Sequence, residues 1–114
     1  MSDCIFCGIA DGTIPSKKIF EDGEMLAFHD IDPKAPVHFL VISKRHIKNI
    51  MECGAEDGVL LGKLLLKAEE LARELGCEEG GARFVINCKD DGGQTVDHLH
   101  IHVLGGRRLG WPPG

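Results

Sequence analysis

At 114 residues the chain is one domain's worth of sequence, and 43% hydrophobic with 27% charged residues is an ordinary composition for a folded domain. A net charge of -5 leaves no basic footprint for nucleic acid or anionic membranes, and no apolar run approaches the ~20 residues of a bilayer span. Five cysteines, an odd set, follow a start (Met1-Ser2-Asp3-Cys4) with no cationic-then-apolar leader, so reduced thiols and a cytoplasmic setting are expected rather than a disulfide framework.

In chain order, residues 4–11 predict a short helix stopped at Gly12, and Pro15 opens an extended stretch. Residues 18–22 and 25–30 are β-prone runs around Asp22-Gly23-Glu24, which predicts a hairpin. Asp32-Pro33-Lys34-Ala35-Pro36 is a proline-punctuated loop, and residues 37–43 read as a buried strand. Leu60, Leu61, Leu64, Leu65, Ala68, Leu71, Ala72 and Leu75 recur at three- and four-residue spacings, which predicts an amphipathic helix over 56–75 that ends before Gly76. Residues 82–88 predict another strand, 89–95 a loop, and 98–104 the last strand. Strands joined by short turns plus one long helix make the α+β class, an antiparallel sheet with a helix on one face. A domain of this size also gains from pairing with a second copy.

His98-Leu99-His100-Ile101-His102-Val103-Leu104 alternates imidazoles with apolar residues. On a strand, such alternation puts His98, His100 and His102 on one face and Leu99, Ile101 and Val103 on the other. Three of the chain's six histidines therefore line up on one surface. Three imidazoles suggest a metal site, yet same-face neighbours on a strand lie ~7 Å apart and converge poorly on one ion. The second reading makes His100 a nucleophile or general base acting on phosphorus, with neutral donors nearby to hold the developing charge. One or two of the three can also be satisfied structural histidines.

The preceding loop suits that chemistry. Gly92-Gly93 lets backbone amides approach an anion, Thr95 and Gln94 add a hydroxyl and an amide, and Asn87 a further neutral donor. Alone, a Gly-Gly pair marks a plain turn. Asp30, between Phe28 and Ile31, reads either as an acceptor for ribose hydroxyls beneath a base or as a loop-capping carboxylate before Pro33. Cys4-Ile5-Phe6-Cys7 is half of a tetrahedral zinc site, with His46 and His98 as candidate distant partners. A redox dithiol or two packed thiols are the alternatives.

The run 98–104 resembles the His-φ-His-φ-His-φ-φ signature of the histidine-triad (HIT) family, where φ is apolar, and matches it at every position. Leu26-Ala27-Phe28-His29-Asp30-Ile31, Ala35-Pro36, His38-Phe39-Leu40-Val41-Ile42, Asp91-Gly92-Gly93-Gln94 and the closing Trp111-Pro112-Pro113-Gly114 resemble the Hint branch of that family. Thr95 stands where serine is common, Ser43 where proline is common, and Asp97 where an aromatic is often found.

The resemblance implies one HIT domain over 1–114 and a homodimer whose two five-stranded sheets join into ten strands. It implies a purine-nucleotide site and hydrolysis of nucleoside 5′-phosphoramidates through a nucleotidyl-histidine on His100. His102 would contact the phosphate or leaving group, and His38 would orient the site from behind. Asn87, Gly93, Gln94 and Thr95 would surround the phosphate, Asp30 would bind the ribose, and Ile5, Phe6, Phe28 and Ile31 would enclose the base. Trp111 would reach the partner subunit's site. A structural zinc held by Cys4, Cys7, His46 and His98 is implied as well, away from the phosphorus and not needed for the chemistry. The alternatives are a dinucleoside polyphosphate hydrolase of the same fold, or a nucleotide- or zinc-binding interaction module whose hydrolysis is incidental.

Overall fold

A period of two organises the centre of the molecule. The computed structural model, which describes residues 4–114, contains strands β1 (Lys18–Glu21), β2 (Met25–His29), β3 (Val37–Ser43), β4 (Ala82–Val85) and β5 (His100–Gly105). They form one antiparallel sheet in the order β1-β2-β3-β5-β4. Three helices accompany it: α1 (Ile5–Asp11), α2 (Gly58–Ala72) and the single turn α3 (Lys89–Gly92). This is the α+β architecture expected, a five-stranded antiparallel sheet with one long helix. The leader reading of Met1-Ser2-Asp3 lies outside the described residues.

Each face of the sheet is covered. On one, Met25, Ala27, Phe39, Val41, Ile101 and Val103 pack against Leu64, Ala68, Leu71 and Ala72 of α2, whose four-, three- and one-residue spacings make a single stripe. Burying a side chain such as Phe39 or Ile101 completely is worth about 1.5–3 kcal/mol. On the opposite face, Leu26, Phe28, Leu40 and Ile42 meet Phe6 and Ile9 of α1. Strand β3 pairs Ile42 with His100 and Leu40 with His102. The triad histidines therefore lie on the α1 face, while their apolar neighbours face α2.

Helix α1 starts at Cys4, whose Sγ accepts the Cys7 N–H (3.4 Å), and stops at Gly12, which takes φ 88° as a left-handed cap. Between β3 and α2, Asp57 pairs with the Arg45 guanidinium and accepts the Gly54 N–H at 2.9 Å. That pins the segment carrying His46.

The larger departures from the expected boundaries are at α2, β4, residues 89–95 and the start of β5; other ends shift by a single residue. Helix α2 begins at Gly58, after one tighter turn (Ala55–Asp57), and a wider turn (Arg73–Cys77) carries the chain to Gly76 at φ 101°. Strand β4 ends at Val85 rather than Cys88: its last ladder partner is His102, and the chain must then turn into α3, which packs Gly92 against Asn87. The loop 89–95 thus contains a helical turn, capped by Gly93 at φ 77°. Strand β5 begins at His100, because the Leu99 N–H bonds to Ile47 carbonyl oxygen (2.7 Å) outside the ladder. His98 precedes the strand, fully buried in a bend.

Candidate active site

Hydrogen bonds to the backbone decide which nitrogen of each imidazole is free. His100 Nδ1 lies 2.7 Å from the His98 carbonyl oxygen, which accepts its proton. The lone pair is therefore on Nε2, the arrangement a nucleophile requires. Burial pulls the His100 pKa below the ordinary imidazole value, against the opposing pull of that hydrogen bond, so the ring stays neutral.

His38 and His102 form a second ordered pair. The Lys34 N–H donates to His38 Nδ1 (3.0 Å), which leaves the His38 proton on Nε2. That nitrogen lies 3.1 Å from His102 Nδ1 and 3.3 Å from Asp30 Oδ2. With His102 Nδ1 as an acceptor, its own proton resides on Nε2. Burial, with like charge on His100 and His38 adding, pulls the His102 pKa down to about 4. His38 is lowered too, by burial, with Asp30 opposing. Asp30, His38 and His102 carry donor atoms within 4.8 Å of one another, the spacing of a metal site. The Lys34 amide decides against that use, because it keeps a proton on the His38 nitrogen that would have to ligate.

Cys4, Cys7, His46 and His98 also place four donor atoms within 4.8 Å. Cys4 Sγ is 3.3 Å and Cys7 Sγ 3.5 Å from His98 Nδ1, and Cys7 Sγ is 3.2 Å from His46 Nδ1. Zn–S and Zn–N bonds at tetrahedral angles put sulfur and nitrogen about 3.6 Å apart, close to these separations. His98 Nε2 donates to the Ser43 carbonyl oxygen at 2.6 Å, which leaves Nδ1 free to ligate, the outer support that metal-bound histidines ordinarily have. Thiolate and imidazole donors in this geometry fit a closed tetrahedral centre. The triad therefore does not converge on one ion: His98 faces the sulfurs while His102 faces His38.

A cavity of about 1000 Å³ opens over His100 and His102, at the upper end of the range for small-molecule sites. Phe6, Phe28, Asp30, Ile31, His38 and Thr95 of the expected site line it. Asp30 Oδ1 accepts the Asp32 N–H (2.8 Å), so the carboxylate caps the loop while Oδ2 faces His38. Ile5, Asn87, Gly93, Gln94 and Trp111 lie outside the cavity wall of the single chain. The Gln94 amide is committed to the loop itself, donating to Lys48 and Val96 carbonyl oxygens and accepting the Lys89 N–H, each at 2.9 Å. Trp111 is 81% exposed.

Sequence reasoning missed Ile9, Leu40 and Ser16, which line the wall together with Pro15, Lys17, His29, Pro33, Pro36 and Val96. Ile9 was findable, being three residues from Phe6 on one helix face. So was Leu40, which alternates with His38 on β3. Ser16 carries no comparable signal; its Oγ is buried without a hydrogen-bond partner.

A buried neutral imidazole with Nε2 free, a second imidazole with its proton on Nε2, and a cavity with apolar walls define a candidate nucleophilic site of hydrolase type. The HIT domain model matches residues 11–109, and the chain belongs to the HIT family. An uncharacterized HIT-like protein of Synechococcus elongatus is 53% identical over 112 residues, covering 98% of this chain and 97% of that one. A HIT family hydrolase from Legionella pneumophila superposes with a TM-score of 0.97 at 48% identity, covering 98% of this chain and 100% of its own. A Zn-bound histidine triad family protein from Mycobacterium smegmatis matches at TM-score 0.78 and 33% identity, over 96% of this chain and 78% of that one. No described helix is long and apolar enough to cross a membrane.

Proposed function

We propose that the protein hydrolyses purine nucleoside 5′-phosphoramidates, such as adenosine 5′-monophosphoramidate, with His100 as covalent nucleophile. The observation that carries the reading is the locked His100 tautomer, Nδ1–H on the His98 carbonyl oxygen and Nε2 bare beside the cavity. In the first step the Nε2 lone pair attacks the α-phosphorus, the P–N bond breaks, and the amine leaves with a proton. His102 Nε2–H is the donor for the phosphoryl oxygen or the departing amine, held in that tautomer by His38. Water then attacks the nucleotidyl-histidine and the N–P bond breaks; the water's oxygen and one proton leave with the nucleotide, its other proton restores His102 Nε2–H, and His100 is released as the neutral imidazole. Thr95 faces the phosphate, Asp30 the ribose, and Phe6, Phe28 and Ile31 the base.

Comparing kcat/KM for adenosine 5′-monophosphoramidate with that for a dinucleoside polyphosphate tests the assignment. The expected preference for the phosphoramidate is at least tenfold, and the reverse preference would replace it with the polyphosphate hydrolase. The acid limb supplies a second check. Attack needs neutral His100, whose pKa lies below the ordinary 6.5. Activity should therefore survive as pH falls through 6.5 and decline only at lower pH; a kcat/KM limb at or above 6.5 contradicts the burial argument.

The Cys4, Cys7, His46 and His98 centre is proposed to hold a structural zinc. Bound there, the ion would supply cross-linking between α1 and the segments carrying His46 and His98, with no part in phosphorus chemistry.

The partner is proposed to be a second copy of the chain. Strand β4 is an open edge of the sheet, with Phe84 41% exposed, and Val59 and Leu66 of α2 are 73% and 65% exposed. Joining two β4 edges gives a ten-stranded sheet, covers these side chains, and brings each Trp111 near the other subunit. Light scattering should give about twice 12.4 kDa for the native chain and the monomer mass for Phe84→Glu. A native monomer would overturn the dimer. A reducing cytoplasm is the proposed setting.

A further inference from the structure

Helix α1 has only seven residues, too short to be stable on local hydrogen bonds alone. Its position is set by what it touches. Phe6 and Ile9 are buried among Leu26, Phe28, Leu40 and Ile42, and the cysteines on either side of Phe6 in sequence, Cys4 and Cys7, face His98 and His46. The Phe6 backbone is thus held between two donors of the Cys/His centre. Its ring meets His98 and His100 edge to face, at centroid distances of 5.9 and 5.0 Å, and Phe28 at 5.7 Å. The same ring is part of the cavity wall.

A second connection runs through His98. Its Nδ1 faces both sulfurs, and its carbonyl oxygen accepts the His100 Nδ1–H. One histidine therefore belongs to the four-donor centre by its side chain and to the nucleophile's support by its backbone.

We infer that a metal ion at Cys4, Cys7, His46 and His98 and a nucleotide over His100 strengthen each other's binding, with Phe6 as the positioning residue that carries the coupling. The inference rests on the zinc and nucleotide readings above. An ion that fixes α1 and His98 orders one cavity wall and the backbone oxygen behind the nucleophile before the nucleotide arrives. The nucleotide then loses less freedom-related binding energy to that ordering. Reciprocity follows: whatever factor the ion contributes to nucleotide affinity, the nucleotide must contribute to metal affinity. A metal that only stabilises the fold predicts no such factor.

The experiment is a chelator competition for zinc on the intact holoprotein, without and with saturating AMP, beside AMP titrations of metal-loaded and metal-free protein. AMP should raise zinc affinity about fivefold or more, the lower end of common coupling factors, and metal removal should weaken AMP binding by the same factor. In Phe6→Leu, which keeps an apolar side chain, zinc should still bind at one equivalent with both factors reduced to about twofold or less. Phe6→Met is the substitute if Phe6→Leu does not fold, and the competition on native holoprotein stands even if the metal-free form unfolds. Zinc affinity unaffected by AMP overturns the coupling. A full factor surviving in the Phe6 variant overturns the role of Phe6. Failure of the native protein to bind zinc, with AMP binding intact, overturns the metal reading instead.

Discussion

Replacing His100 with alanine is expected to lower phosphoramidate turnover about 10⁴-fold or more, as loss of a covalent nucleophile does in other enzymes, while AMP still binds within about tenfold of the native affinity. The two effects separate because the side chain has one chemical task. His100 is buried, its Nδ1–H is consumed by the His98 carbonyl oxygen, and its Nε2 is the group with no proton to give. Nothing adjacent can replace it. His102 Nδ1 faces His38 Nε2 at 3.1 Å, so its remaining nitrogen carries a proton and donates rather than attacks. His98 is turned toward the sulfurs and Ser43. The cavity walls proposed to hold a nucleotide, Phe28, Ile31 and Asp30 among them, are untouched by the substitution. Steady-state turnover and calorimetric AMP titration on the same preparation read both quantities. Turnover within tenfold of native would remove His100 from the chemistry.

Loss of the metal centre should act chiefly on stability. Protein purified without chelator is expected to carry about one equivalent of zinc per chain, and less than about a tenth would contradict the four-donor reading. A site held at 100 times its dissociation constant contributes about 2.7 kcal/mol. For a chain of this size that corresponds to a fall of about 10 °C in thermal midpoint on chelation. Cys7→Ser should show the same fall and no further response to chelator. Turnover at saturating substrate should remain within about threefold in both cases, because no donor of the centre reaches the phosphorus. A variant that loses zinc with an unchanged midpoint would show that the ion does not hold α1.

Much of this was readable in advance where a short period carried the information. The alternation from His98 to Leu104 assigned faces correctly, and Leu99, Ile101 and Val103 do enter the α2 core. The strand over 37–43 and the Gly12 stop were legible because branched residues and a left-handed glycine act locally. The limits are equally physical. That His98 leaves the ladder depends on the Leu99 N–H finding the Ile47 carbonyl oxygen, a contact between distant segments. Which imidazole nitrogen is bare depends on Ser43, Lys34 and a neighbouring carbonyl oxygen, none of which a spacing pattern encodes. Gln94 looked like a ligand donor because an amide beside a Gly-Gly turn suits a phosphate. In the fold its bonding capacity is spent on closing the loop, and only the three-dimensional path of residues 48 and 89 shows that. Asp30 had two local readings, ribose acceptor and loop cap; the structure shows the cap, with one oxygen on the loop and the other toward His38.

The division of labour among three similar imidazoles is the centre of the account, and the covalent intermediate tests it most directly. Native protein mixed rapidly with adenosine 5′-monophosphoramidate, quenched under conditions that preserve phosphohistidine and digested, should yield a transient adenylyl group on the peptide containing residues 98–102. Fragmentation should place it on His100. An adduct on His98 or His102, or turnover with no adduct at any time point, would contradict the assignment.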